Sequence, residues 1–386
     1  MTRYFYVSPT DSLFIRGNLA FGDGGEHGSS LMPPPPSLFA GAFRSAMLGR
    51  DAANLAAFIE RGRCDDPLLH ECLGSVDQPG TFRLTWLSLA GRRGEAEPEP
   101  VFALPSDLLQ SESGLALLEP QPLAASVASY GELPLRATLR ASEREKPLAG
   151  TYLRQNGMRK HLSGELPLPA DAIAASGLHA RDPRLGIGLS AEAGSAEAGM
   201  IYTTEGFAFG PPLDPVFEST GFLVGLDGTG DILPESGMLR LGGDGRSAHY
   251  QQFRCLDVAA PAVEALQHGA RFRLLLRTPG LFRDGWLPPG VDLINGQYRL
   301  TGNGFAARLA CAAVGRREIV SGWDLFRGRP KDAEAAAPAG SVYWFDEFEG
   351  DAGKLAEWVA GGLWGNEVDV QRRAEGYNLG TLGSWN

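Results

Sequence analysis

Met32-Pro-Pro-Pro-Pro-Ser-Leu-Phe-Ala-Gly-Ala-Phe-Arg44 divides an extended opening from a helix, and the order of elements is read outward from it. Pro33 to Pro36 allow a helix to begin but not to pass through them. Ser37, directly after the prolines, is placed to cap it. Leu38, Phe39, Ala42, Phe43 and Ala46 then recur at helical spacing, and Gly49 supplies a stop. Upstream, Arg3 to Ile15 carries apolar and aromatic residues around a Pro-Thr-Asp turn and reads as strand material. Gly22 to Gly28 is a glycine-rich loop.

Downstream, the stretch from about 51 to 184 is rich in Ala, Pro, Glu and Leu and reads as a long insertion. It contains short strand-like pieces such as Thr81 to Leu87, and a basic loop, Thr151-Tyr-Leu-Arg-Gln-Asn-Gly-Met-Arg-Lys-His161. Strands are expected over Arg184 to Leu189, Gly199 to Thr204, Thr220 to Leu226 and Tyr250 to Leu256. A short helical segment from Pro234 leads into Gly242-Gly-Asp-Gly245.

A second pass of similar order follows. Phe272, Leu274 and Leu276 alternate with Arg271, Arg273 and Arg277, the pattern of a half-buried strand with a basic outer face. Leu309 to Val320 and Val342 to Phe345 read as strands. Asp351 can cap a helix whose Leu355, Trp358, Val359 and Leu363 share one face, and Thr381 to Trp385 closes the chain as a strand. Both passes follow the βαββαβ order of an α+β, ferredoxin-like (RRM-like) fold. The expected organisation is two such domains in tandem, 1–260 with the 51–184 insertion and 261–386.

The net charge of -11 argues against binding nucleic acid through a broad basic surface, because phosphate neutralisation dominates such affinity. Any RNA contact has to be local. No apolar run approaches the roughly 20 residues a membrane span needs. The opening MTRYFYVSPT lacks a signal-peptide plan, so a cytoplasmic protein with no membrane partner is expected. Cys64, Cys72, Cys255 and Cys311 form no C-x-x-C pair and read as buried thiols rather than metal ligands.

Specific blocks resemble a known family. Ser12-Leu-Phe-Ile-Arg16 with Met32 to Arg44 is similar to the N-terminal signature of RAMP proteins of type III-B CRISPR systems, and in particular to the third subunit of the Cmr-type complex. The resemblance recurs at Leu185-Gly-Ile-Gly188 with Gly199-Met-Ile-Tyr-Thr-Thr-Glu205, at Leu239 to Arg246, and at Gly322-Trp-Asp-Leu325 with Ala337 to Tyr343. It implies a non-catalytic subunit for antiviral defence that grips the 5′ repeat-derived handle of the guide RNA. It also implies docking to the large polymerase-like subunit and to a backbone RAMP subunit, with no cofactor and no small-molecule substrate. Two departures stand out: Asp244 where the family usually carries Glu, and Gly376-Tyr377-Asn378 where Gly-aromatic-Gly is expected.

Candidate RNA contacts follow from chemistry. Gly242, Gly243 and Gly245 allow φ > 0 and a nest of amides for phosphate, and Arg246 adds a fork of donors. A tight turn explains the same glycines. Tyr152 with Arg154, Arg159 and Lys160 combines a stacking ring with backbone-binding cations, though a solvated loop is equally consistent. Arg16, Arg44 and Tyr377 are further candidates, and Ser37 could lend helix amides to a phosphate although capping alone explains it. No catalytic constellation or metal motif emerges from the six scattered histidines. The alternatives are a metal-independent endoribonuclease of the same fold that processes repeat RNA with His249 as general base, and a carbohydrate-active or metabolic enzyme, which needs paired carboxylates that the sequence does not single out.

Overall fold

The computed structural model describes residues 2–15, 27–29, 32–122, 133–139, 146–190, 194–210, 216–243, 245–254 and 269–385. The chain is mixed α/β, rich in strand and poor in helix. It divides into two compact units. Met1–Pro98, Ala175–Cys255 and Ile319–Glu334 make the first, and Glu99–Ala174, Leu256–Glu318 and Ala335–Asn386 the second.

In the first unit, five strands pair antiparallel in the order Ser236–Arg240, Ser247–Phe253, Arg3–Pro9, Ser219–Asp227, Arg83–Arg92. The expected insertion is therefore divided. Arg83–Arg92 is a sheet strand of this unit, whereas Glu99–Ala174 belongs to the other. The helix Pro36–Leu48 lays Phe39 against Phe222, ring centroids 4.8 Å apart, and Phe43 against Phe5 and Tyr250 at 5.5 and 5.4 Å. Its N-cap is Pro35 and its first residue Pro36, so Ser37 is not the cap. A proline at the first helical position forfeits nothing, because that N–H has no partner in the helix anyway. The segment expected as a short helix before the glycine-rich loop is instead the edge strand Ser236–Arg240. A long ribbon, Ala180–Leu189 antiparallel to Ala196–Ala208, completes the unit's larger elements.

In the second unit, six strands pair antiparallel in the order Val291–Ile294, Gln297–Gly302, Phe305–Ala313, Val342–Gly350, Phe272–Leu276, Gly380–Ser384. Asn295 and Gly296 join the first two with φ of 52° and 79°, the two positive values that a two-residue hairpin of matching twist requires. Phe272 and Phe345 stack at 5.0 Å in the core. Asp351 caps the helix Ala352–Ala360 by accepting from the amides of Gly353 at 2.7 Å and Lys354 at 3.3 Å. That helix turns Leu355 and Val359 inward.

Strand Phe272–Leu276 has no basic outer face. All five of its residues are buried, and Arg273 is only 4% exposed. Its Nη1 donates to Asp107 Oδ2 at 2.8 Å, its Nε to the Ser384 carbonyl at 2.8 Å, and its Nη2 to the His161 carbonyl. His161 Nε2 lies 2.7 Å from the other Asp107 oxygen. With that N–H given to Asp107, the 3.0 Å approach of Arg273 Nη1 to the same nitrogen is not a further hydrogen bond. Burial pushes the Asp107 carboxyl up, but His161 and Arg273 outweigh it and leave it below the usual carboxylate range. Burial drives His161 down against the pull of Asp107, so the imidazole is held neutral.

Asn378 is the second polar tie of this unit. It is fully buried at φ 61°, where asparagine is the side chain that best tolerates a left-handed backbone. Its Oδ1 accepts from the Leu281 amide at 2.7 Å and its Nδ2 donates to the Leu363 carbonyl at 3.0 Å. Cys64, Cys72 and Cys311 are buried free thiols; Cys255 lies outside the described residues.

Asn378→Ala should lower the free energy of unfolding by about 2–4 kcal/mol, since it strands a buried donor and acceptor and puts a plain Cβ on a left-handed residue. Asn378→Gly loses less, and equal losses by chemical denaturation would contradict the backbone part. Because folded His161 refuses a proton that the unfolded chain accepts below 6.5, its contribution is complete above that pH and declines as pH falls through it. Acidifying to about pH 5.5 should lower the melting temperature, His161→Gln should flatten part of that slope, and Asp107→Asn should cost about 3–5 kcal/mol by leaving Arg273 unpaired.

Candidate nucleic-acid interface

The glycine-rich loop closes the hairpin between Ser236–Arg240 and Ser247–Phe253. At Gly242, φ is 81° and an added Cβ would stand 2.6 Å from the Phe14 carbonyl oxygen, so only glycine fits. The Gly243 amide donates to that same carbonyl at 2.8 Å, and Arg246 N to the Gly243 carbonyl at 3.3 Å. One amide of the expected phosphate nest is therefore already engaged by the chain. Gly245, at φ 67°, is exposed with open space beside it.

Arg246 does not reach freely into solvent. Its Nη1 pairs with Asp11 Oδ2, and its guanidinium lies 5.5 Å from the centre of the Phe14 ring. Its Nε is buried with no hydrogen-bond partner among the described residues. Arg184, which sequence reasoning passed over, lies 5.7 Å from the same ring and 3.3 Å from the other Asp11 oxygen. Arg184 Nε also donates to Asp182 Oδ2 at 2.8 Å, and Ser12 Oγ donates to that same oxygen. Asp11 and Arg184 are 173 residues apart, so no local spacing announces the pair.

Residues 151–161 are not a projecting loop but the strand Thr151–Arg154 followed by the helix Gln155–Ser163. Tyr152 is 7% exposed, and burial pushes its hydroxyl up to about 12. Its ring is core and offers no stacking platform. Arg154 makes a two-pronged pair with Glu99 at 3.1 and 2.8 Å, and Lys160 binds Asp171 at 2.8 Å. Arg159 is exposed on the helix. The Gly164 C-cap, left-handed at φ 86°, ends that helix, with Lys160 and His161 in its last turn.

The other candidates are dispersed. Arg44 is half-buried, with its guanidinium 5.0 Å from the centre of the Phe82 ring. Tyr377 is fully buried beneath Arg372, 5.4 Å away, and is likewise core. Ser37 is half-buried in the first helical turn. Arg16 and Asp244 lie outside the described residues. His249 is exposed on its strand, opposite Ser8 and Met238, and makes no ion pair among the described residues. Arg271 is exposed and lies 5.0 Å from the Trp385 ring centre; Arg277 donates to the Gly380 carbonyl at 3.2 Å.

No curated protein matches the chain. Among solved structures it is similar to a chain of the Type III-B Cmr-beta bound to cognate target RNA, at 17% identity over 89% of this chain and 86% of that one, with a TM-score of 0.42. It is also similar to a chain of the same assembly bound to cognate target RNA and AMPPnP, state 1, at 14% identity over 88% and 86%, with a TM-score of 0.41. A family model described as CRISPR-associated protein (Cas_Cmr3) matches residues 5–385, nearly the whole length, and the chain therefore belongs to the Cas_Cmr3 family of CRISPR-associated proteins.

Proposed function

We propose that this chain is a non-catalytic subunit of a type III-B CRISPR effector complex that grips the 5′ repeat-derived handle of the guide RNA. In this reading it also docks the large polymerase-like subunit to a backbone RAMP subunit, in the cytoplasm, for antiviral defence. The observation that carries it is family membership over residues 5–385.

Two ferredoxin-like domains in tandem, 1–260 and 261–386, form part of the same proposal; the strand orders within the two units support the fold, although Glu99–Ala174 belongs to the second unit and Ile319–Glu334 to the first. Numbering Arg3–Pro9, Arg83–Arg92, Ser219–Asp227 and Ser247–Phe253 along the chain gives the sheet order 4-1-3-2 in the first unit, and numbering Phe272–Leu276, Phe305–Ala313, Val342–Gly350 and Gly380–Ser384 gives the same order in the second, read from the Gly380–Ser384 edge. The helices are shared unevenly. The first unit has the helix after strand one, and the second has the helix after strand three. Antiparallel sheets of this order leave one face for helices and the other for a ligand or partner.

The RNA contacts proposed are the candidate cations that remain at least partly exposed: Arg44, Arg154, Arg159, Lys160 and Arg246. Most are neutralised by carboxylates, which is consistent with an acidic chain that binds RNA only within an assembly, where partner subunits supply the rest of the electrostatic attraction.

A complex reconstituted with its guide should lose RNA at lower salt when it carries Arg159→Ala, Lys160→Ala and Arg246→Ala. The log–log salt slope should fall by about 0.7 per lost phosphate contact. Guide retention that is unchanged in all three variants removes these assignments. Incubating the purified chain with labelled repeat RNA should leave it intact; cleavage that disappears in His249→Ala would overturn the non-catalytic reading.

A further inference from the structure

We propose that Arg184 and Arg246 form a phosphate site for the RNA backbone and that Asp11 is its internal latch, a carboxylate standing where phosphate oxygens would sit. The inference rests on the RNA-binding reading above and adds to it a site, a residue and a mode of control.

The two guanidiniums come from distant segments, the ribbon strand Ala180–Leu189 and the residue after Gly245, yet both lie over Phe14 and both contact Asp11. Each is held in place without that carboxylate. Asp182 and Ser12 fix Arg184, through Nε at 2.8 Å and Nη2 at 3.2 Å. The Phe14 ring and a glycine turn pinned to the Phe14 carbonyl fix Arg246. Asp11 is the most accessible of the four charged members, its side chain 48% exposed against 22% for Arg246. It can swing outward while the cations stay.

The charge balance favours such an exchange. Two arginines against Asp11 and Asp182 make a neutral cluster, which gives an approaching polyanion no net attraction. With Asp11 turned away the cluster carries one net positive charge, matching one phosphodiester. Guanidinium forks suit phosphate as well as carboxylate, and the buried Arg246 Nε is a donor that Asp11 does not use. Ion pairs exposed to this degree are weak, so opening the latch costs little. The Ser12 amide and the two guanidiniums keep the Asp11 carboxyl below its ordinary range, so at neutral pH it competes as a full charge. A latch of this kind suppresses RNA binding by the isolated chain and yields to a guide presented by the assembled complex.

The test uses the complex reconstituted with guide RNA and washed over increasing salt. Asp11→Asn keeps an acceptor for the Ser12 amide and removes the competing charge. It should retain guide about two- to fivefold more tightly, the scale of one partly exposed ion pair. Arg184→Ala and Arg246→Ala should release guide at lower salt, and Asp11→Asn combined with Arg184→Ala should lose the gain. A wild-type complex whose guide carries 4-thiouridine should crosslink to peptides containing Phe14 or Arg184, a readout that does not depend on any variant folding. Asp11→Asn holding guide no more tightly than wild type, or no crosslink to either peptide, overturns the latch while leaving the broader reading intact. A wild-type complex that retains no guide at all overturns both.

Discussion

A guanidinium cannot be taken into a protein interior without a counter-charge, and in the second unit that requirement organises the fold. Arg273 sits mid-strand in a fully buried segment, so the chain has to bring it a carboxylate from elsewhere. Asp107 comes from 166 residues away and arrives with a neutral histidine on its second oxygen. The same guanidinium reaches the His161 and Ser384 carbonyls, so one side chain ties a loop, the end of a helix and the closing strand to the central sheet. Breaking such a pair is costly because the remaining charge stays buried. The packing of Leu274, Phe345 and Leu382 nearby is consistent with that single registration of the elements.

The same economy runs through the surface. With 46 acidic and 35 basic residues, carboxylates outnumber cations, and the candidate cations are mostly held by one. Arg154 has Glu99, Lys160 has Asp171, and Arg184 and Arg246 share Asp11. On the proposed reading, recognition of a polyanion is an exchange of one anion for another rather than a neutralisation of free charge. That makes it local, dependent on prior positioning and sensitive to what neighbouring subunits contribute.

The elements legible in the sequence were those specified within a few residues. The proline run and the spacing of Phe39 and Phe43 announce the first helix, and Asp351 caps the last long one as its position implies. The Asn295-Gly296 hairpin carried an equally local signal that went unused. The misreadings have a common cause. Alternating Arg and Leu around Phe272 looks like a strand with a wet face, because periodicity cannot show that a carboxylate waits on that side. Tyr152 looks like a stacking ring because its neighbours are basic, and Tyr377 stands in a loop that the family resemblance singles out, but both rings are core.

The resemblance of motif blocks along the chain pointed to the family, and short-range pattern and cap chemistry outlined two similar passes of strand and helix. The fold in three dimensions decided which arginines are structural, which glycine amides are already occupied, and that Asp11, Arg184 and Arg246 meet over one phenylalanine. The physical reason is distance along the chain. Caps and periodicity act between near neighbours, whereas burial and ion pairing link residues more than a hundred positions apart and exist only once the sheet has brought them together.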